Sequence, residues 1–391
     1  MRESFSVQAM SAGLLSAFVG FASSFFIILQ GLAAVGANQA EAASGLIALS
    51  VTMGLGGIYL SLKTKLPISV AWSTPGAALL ATTGALEGGF AAAVGAFLTT
   101  AVLIILAGLW RPLGRWVAAI PVSLASAMLA GVLLTFCLAP VRAVAEAPAL
   151  ALPIIVAWAL VWKLNRIYAV PAALLVTAGI VVWVTDLSVL EGISLWPAVA
   201  LVKPEFSIPA TIGIALPLFI VTMASQNIPG IAVLNANNYR PEPGPLFIST
   251  GAFSLISAPF GGHAVNLAAI TAAICAGEDA HPDPARRYWS AVVAGATYVV
   301  FGLLAGAITA FFAAAPSILI TAVAGLALLG AFAAALTSAV QQPDDRVAAA
   351  ITFLVTASGI PFLGVGSAFW GLMAGLGMYA LMHWRRSGST L

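Results

Sequence analysis

The sequence predicts an all-α polytopic membrane protein: 14 transmembrane segments as 7+7 inverted repeats, with short β-strands and half-helices in segments 3 and 10. Three observations carry this reading. Hydrophobic residues make up 61% of the 391-residue chain and charged residues only 7%, against about 25% charged in soluble domains. Apolar runs take up nearly the whole length, which leaves no room for a soluble catalytic domain. The loop charges also alternate in sign of side. With the N-terminus cytoplasmic, the cytoplasmic loops carry Arg2, Lys63, Lys65, Arg111, Arg115, Lys163, Arg166, Arg240, Arg286, Arg287, Arg346, Arg385 and Arg386, and the opposite side carries Arg142 and Lys203. The positive-inside rule then places both termini in the cytoplasm with an even number of crossings.

Segment 1 covers about Met10–Val35 and segment 2 runs from Asn38 to Leu62. Segment 3, residues 66–84, reads LPISVAWSTPGAALLATTG and is broken. Pro67 opens a β-prone piece, ISVAW. Ser73 or Thr74 then suits an N-cap, Pro75 suits a first helical turn, and GAALLATTG is a half-helix. Segment 4 is about Gly89–Trp110, segment 5 Pro121–Leu138, segment 6 Pro148–Lys163 and segment 7 Ala169–Thr185. A polar stretch, Asp186–Ser207, joins the halves. Its GISLWPAVAL is expected as an amphipathic helix along the membrane surface.

In the second half, segment 8 covers Ile208–Leu234 and segment 9 Pro245–Ala258. Segment 10, PFGGHAVNLAAITAAICAG at 259–277, is broken like segment 3. Pro259, Gly261 and Gly262 interrupt the helical ladder. The ten or so residues that follow span about half of a ~30 Å hydrocarbon layer at ~1.5 Å per residue. Segments 11 to 14 are Tyr288–Ala314, Ser317–Val340, Val347–Gly359 and Leu363–Trp384. Segments 6, 9 and 13 are short. Seven segments on each side of the connection invert the second half relative to the first, and the broken segment is third in each. Such paired interruptions point to a transporter's binding site, because non-helical backbone at that depth survives only against protein or a wet cavity.

Composition and motifs narrow the function classes. The net charge of +2 sits in short loops and gives no nucleic-acid surface. Cys137 and Cys275 fall in apolar runs and read as small core residues, without a disulfide framework. The short N-terminus leads into a full-length span, so no cleaved signal peptide is expected. No paired carboxylates, Ser-His-Asp set or Cys/His metal spacing stands out, which disfavours a membrane enzyme. Glu278, Asp279, His281 and Asp283 cluster with Arg286 and Arg287, and their loop position with mixed signs reads as a solvated face.

The candidate site residues are polar groups at membrane depth. Ser225, Gln226 and Asn227 interrupt an apolar run just before Pro229 and Gly230, where a kink is expected. An unpaired amide in hydrocarbon costs several kcal/mol, so Gln226 and Asn227 face protein, water or ligand. Asn235, Asn237, Asn238, Tyr239 and Arg240 read as a helix-terminating loop. For His263 and Asn266 two readings stand. Asn266 caps the half-helix and His263 bonds loose backbone, or both touch an anion, with His263 titrating near pH ~6.5 in a proton-coupled step. Ser23, Ser24, Phe25, Phe26 and Gln30 lie on segment 1, where serines usually serve packing. Phe25 and Trp72 are suited to stacking on a ring or to the core.

SQNIPGIAVLNANNYRP, PISVAWSTPGAALLA and FGGHAVNLAAITAAICAGEDAHPDPARRYW closely resemble the benzoate:proton symporter family of bacterial inner membranes. More distantly the layout is similar to the nucleobase/ascorbate and the sulfate/anion transporters. The resemblance implies a core domain from residues 1–118 and 207–315 (segments 1–4 and 8–11). It implies a gate domain from 119–206 and 316–391 (segments 5–7 and 12–14), with elevator-type movement and commonly homodimers. Carried over by position, the substrate site comprises Ser69, Trp72, Ser73 and Thr74, then Gln226 and Asn227, then His263, Val265, Asn266 and Leu267; Ser23 and Phe25 of segment 1 join them as candidates from the reading of the residues alone. Proton-coupled nucleobase carriers have acidic residues on segments 8 and 10, where this chain has Gln226 and Asn266 or its neighbours. Neutral amides suit an anionic guest. They leave His263, Glu41 or the substrate's own carboxyl group as the proton's route. The resulting expectation is a carrier importing benzoate or a related aromatic carboxylate with a proton as the coupling ion, without a bound cofactor or metal, in contact with lipid and not with nucleic acid. Its rivals are an anion channel of similar shape and a carrier for a nucleobase or another organic anion.

Overall fold

In the computed structural model the described residues are 6–84, 86–110, 112, 120–184, 198–268, 270–307, 309, 315–360, 362 and 366–384. The helices of the first half are α1 (Val7–Ala22), α2 (Phe25–Ala34), α3 (Gln39–Thr64), α4 (Thr74–Thr83), α5 (Gly89–Leu109), α6 (Val122–Cys137), α7 (Ala139–Glu146), α8 (Pro148–Leu164) and α9 (Arg166–Val184). Strand β1 (Val70–Trp72) precedes α4. The second half contains α10 (Ile208–Ala236), α11 (Pro243–Ser257), strand β2 (Val265–Leu267), α12 (Ile270–Ala276), α13 (Tyr288–Leu303), α14 (Ser317–Val340), α15 (Arg346–Ala357) and α16 (Ser367–Trp384). Among the described residues six helical stretches are long and apolar enough to cross a membrane, counting α1 with α2 and α6 with α7 as one stretch each.

The two broken segments are where the sequence puts them, and they meet. β1 and β2 pair antiparallel, Val70 opposite Leu267, Ala71 opposite Asn266 and Trp72 opposite Val265. The pairing extends past the strands, with Ser73 N–H donating to Ala264 O (3.0 Å) and Ala268 N–H to Ser69 O (3.0 Å). Strand pairing satisfies backbone groups that neither half-helix can satisfy within itself. Serines on flanking helices take up more of them. Ser254 Oγ of α11 accepts from Val265 N–H at 2.8 Å, and Ser61 Oγ of α3 donates to Ile68 O at 3.1 Å. Gly261, at φ +92°, turns the chain toward β2 in the left-handed region that glycine adopts without strain.

Around the ladder, α3 packs on α13, α5 on α11, α1 on α13 and α2 on α4, while α6 packs on α14 and α15, α15 on α16 and α8 on α9. At the α3–α13 crossing a side chain at Gly54 or Gly295 would meet the other's carbonyl oxygen at 2.5 Å. Both must be glycine for the backbones to approach so closely.

Several elements depart from the sequence reading. Segment 1 is two helices. The Ser23 and Ser24 hydroxyls both donate back to Gly20 O, at 3.2 and 3.0 Å, a competition with the helical ladder that bends or breaks helices. In α10 the expected kink takes the form of two widened turns, Thr211–Ala215 and Met223–Asn227, each bonded five residues back and each just ahead of a proline, Pro217 and Pro229. Widening makes room for a ring that lacks an N–H and crowds the carbonyl four residues earlier. The helix α7 lies in a stretch read as a loop. The proposed surface helix GISLWPAVAL falls mostly outside the described residues. Its described part, 198–201, is not helical; Ala200 N–H donates there to Ser44 Oγ at 2.9 Å.

The charged loop after α12 needs a correction. Arg287 is buried, not solvated. Its guanidinium donates to Ala276 O (2.8 Å), His281 O (2.7 Å) and Pro282 O (3.5 Å), while Ser290 Oγ donates to Cys275 O at 3.0 Å. The two side chains close the C-terminal carbonyls of the half-helix, where a cation also complements its dipole. Arg287→Met should lower stability by about 2–3 kcal/mol, the range for charged hydrogen bonds lost at a buried site. Thermal unfolding in detergent measures it, and an unchanged midpoint would contradict this role.

Candidate functional site

Because β1 and β2 run antiparallel, the helix after each strand leaves the ladder at the opposite end. The first turns of both, Thr74–Pro75 of α4 and Thr271 of α12 with Ala268 before it, line one cavity of about 660 Å³. The other walls come from α1 and the α1–α2 break (Val19, Gly20, Ser23, Ser24), from the second widened turn of α10 (Ala224, Ser225, Gln226) and from α6 and α14.

Polarity is divided between the walls. Ser23, Ser24, Thr74, Ser225, Gln226 and Thr271 face the cavity from the elements around the ladder. Facing them, α6 presents Val122, Ala125, Leu129 and Leu133, and α14 presents Ala327, Leu328, Gly330, Ala331, Ala334 and Ala335, with Ser126 and Ser338 as the hydroxyls on that side. No lining residue among those described carries a formal charge. The cavity therefore offers hydroxyls and one side-chain amide at one side and a mainly apolar surface at the other.

Of the residues expected from the sequence, Ser23, Trp72, Thr74 and Gln226 line the cavity. Trp72 is buried and held by its indole N–H, which donates to Ser24 Oγ at 2.8 Å, and by the Phe21 ring at 5.3 Å. The others sit behind the lining. Ser73 caps α4 through Gly76 N–H (3.2 Å) and shares a hydrogen bond with Thr222 Oγ1 (2.8 Å). Ser69 Oγ shares one with Thr271 Oγ1 at 2.8 Å. Phe25 is buried against Phe21, ring centroids 5.5 Å apart. Val265 and Leu267 belong to the ladder.

Asn227 and His263 hold backbone. Asn227 Oδ1 accepts from Leu267 N–H at 2.9 Å, so this amide of α10 extends the ladder by one acceptor beyond β2. The two neighbours have separate duties: Gln226 faces the cavity and Asn227 faces the strand. His263 Nε2 contacts Ser73 O at 2.9 Å, which joins the approach to β2 to the cap of α4. Asn266 Nδ2 donates to Leu267 O at 2.9 Å. Both residues are fully buried behind the lining. His263 meets backbone as in the first of the two readings above, whereas Asn266 bonds its neighbour's carbonyl rather than a helix N–H, and His263 Nδ1 and Asn266 Oδ1 are buried without a hydrogen-bond partner among the described residues. Glu41 does not line the cavity and takes part in a reciprocal cap of α3: Asn38 Oδ1 accepts from Glu41 N–H (3.0 Å) and Glu41 Oε2 from Asn38 N–H (2.8 Å).

The sequence reading passed over Thr271 and the α6 and α14 walls. For α14 a signal was present: Ala327, Gly330, Ala331, Ala334 and Ser338 recur at helical spacing as small residues on one face.

These features match a known class. The fold is that of the transmembrane domain of a cyanobacterium bicarbonate transporter, BicA (TM-score 0.57, 14% identity, 95% of this chain and 98% of that one). It is also that of SLC26A9 (TM-score 0.62, 14% identity, 97% of this chain and 66% of that one). The protein is thus a helical membrane protein of the SLC26/BicA transporter fold. The family model "Benzoate membrane transport protein" matches residues 3–381, and the chain belongs to that family, one of membrane transporters and not of enzymes. It is 41% identical over 373 residues to inner membrane protein YdcO of Escherichia coli (strain K12), covering 95% of each chain. It is 31% identical over 382 residues to the benzoate membrane transport protein of Acinetobacter baylyi (strain ATCC 33305 / BD413 / ADP1), covering 98% of this chain and 97% of that one.

Asn227→Leu should cost about 1–3 kcal/mol, because Leu267 N–H is left buried without its acceptor. Asn227→Ala should cost a similar amount, because it removes the same acceptor. Gln226→Leu, one residue away, should stay within about 0.5 kcal/mol, as expected of a residue facing open space. Denaturation in detergent ranks the three, and equal losses at 226 and 227 would contradict the division of duties.

Proposed function

We propose that this protein carries benzoate or a closely related aromatic carboxylate, together with a proton, across a bacterial inner membrane into the cytoplasm. The observation that carries this is the divided cavity. An aromatic acid has one charged end and one apolar ring, and the walls offer one kind of surface to each. The carboxylate meets Thr74, Thr271, Gln226 and the first turns of two half-helices, each turn contributing up to ~2 kcal/mol toward an anion in a partly buried geometry. The ring rests against Trp72 and the apolar faces of α6 and α14. Neutral donors hold an anion without a fixed opposite charge, which favours release as much as capture. An apolar wall of this extent fits a ring better than bicarbonate or another small inorganic anion.

The proposal extends to mechanism and setting. The elements around the ladder (residues 1–118 and 207–315) form a core that moves as an elevator against a gate of residues 119–206 and 316–391. Fourteen crossings place both termini in the cytoplasm, and the protein works in contact with lipid as a homodimer. The packing groups described above and the cavity between them support this division, and the relative named as an inner membrane protein supports the location. No acid or imidazole lines the cavity among the described residues, which favours the substrate's own carboxyl group over His263 or Glu41 as the proton's seat.

Proteoliposomes loaded with the protein should accumulate labelled benzoate under an inward proton gradient, faster as external pH falls. Gln226→Leu should weaken benzoate binding about tenfold, equivalent to roughly 1.4 kcal/mol. Uptake no greater than in protein-free vesicles would overturn the substrate assignment, and flux without uphill accumulation would indicate a channel.

A further inference from the structure

The cavity is larger than a single-ring acid needs. Pockets of ~300–1,000 Å³ hold ligands of drug size, and 660 Å³ lies well inside that range. The surplus room has a definite place. On α14 a Cβ built at Gly330 meets nothing within 4 Å. Gly330 and Ala334, one helical turn apart, both line the cavity and are both exposed. A glycine in a helix interior is destabilising relative to alanine, and no close backbone approach at Gly330 offsets that. Its contribution is the space it leaves.

The direction of that space follows from the divided polarity. With the carboxylate at Thr74, Thr271 and Gln226, the far edge of the ring faces α14. We infer that Gly330 is a specificity-determining residue. The gap in front of it admits substituents on the ring edge opposite the carboxylate, so the carrier accepts substituted or fused-ring aromatic monocarboxylates as well as benzoate. This rests on the aromatic-acid reading given above. A side chain at position 330 enters the gap and removes the bulkier acids first.

The test uses the full-length protein in detergent and in proteoliposomes, with wild type, Gly330→Ala, Gly330→Leu and Gly330→Cys. The probes are benzoate, 4-tert-butylbenzoate and 2-naphthoate. Wild type should bind and transport all three. Gly330→Ala should keep all three. Gly330→Leu should keep benzoate within about threefold and lose at least tenfold in affinity for both larger acids. Gly330→Cys should react with a maleimide, whereas the buried Cys137 and Cys275 should not, and 2-naphthoate should slow that reaction more than benzoate at equal occupancy. Equal losses for all three acids in Gly330→Leu, or unchanged selectivity, would overturn the inference, as would an unreactive cysteine in a folded variant. Wild type that binds benzoate but neither larger acid would overturn it too. Wild type that binds no aromatic acid would instead remove the substrate assignment on which the inference stands.

Discussion

The structure depends on backbone hydrogen bonding at a depth where water does not supply it. Two interrupted segments expose N–H and C=O groups that helices would have satisfied, and each such group left alone in hydrocarbon costs several kcal/mol. The antiparallel pairing of Val70–Trp72 with Val265–Leu267 resolves this for both at once. Side chains finish the job where the strands end: Ser61, Ser254 and Asn227 bond to backbone of the broken segments, and His263 contacts the Ser73 carbonyl. The cavity exists because these bonds hold two helix beginnings at its edge.

Much of this was legible in the sequence, for a physical reason. Proline and glycine inside apolar runs have few tolerable placements in a membrane, so PISVAWSTPG and PFGGHAVNL could be read as strand and half-helix before any coordinates. Helix bounds followed hydropathy closely; Ser317–Val340 appears unchanged as α14. The site was harder. Polarity marks residues that need partners without saying which partners they take. Gln226 and Asn227 look equivalent in sequence, but as neighbours on α10 they face different sides of the helix, one the cavity and the other Leu267. Arg287 was misread because a charge in a loop is normally solvated, and nothing local shows that the end of α12 lies over it. The α14 face was missed for the opposite reason: small residues on membrane helices usually mean close packing, whereas here they border open space.

On the proposed function, the lining holds its anion loosely. A lysine or arginine in the wall would bind a carboxylate strongly and give it up slowly. Hydroxyls, one side-chain amide and partial charges at helix beginnings spread the same complementarity over several weak contacts. An apolar wall opposite adds orientation without adding charge. On the proposed function, recognition is divided between the two sides of the cavity, with the carboxylate read near the ladder and the ring read by α6 and α14.

The ladder has a further consequence for biogenesis. His263 and Ser73, which touch across it, are 190 residues apart in the chain. During synthesis β1 enters the bilayer long before its complement has left the ribosome. Until then its edge is an open template, and long-range contacts of this kind form late because distant parts of the chain must first be brought together. The nascent first half must wait with that edge shielded, by neighbouring helices or by the insertion machinery, and the molecule closes only when its last-made third arrives.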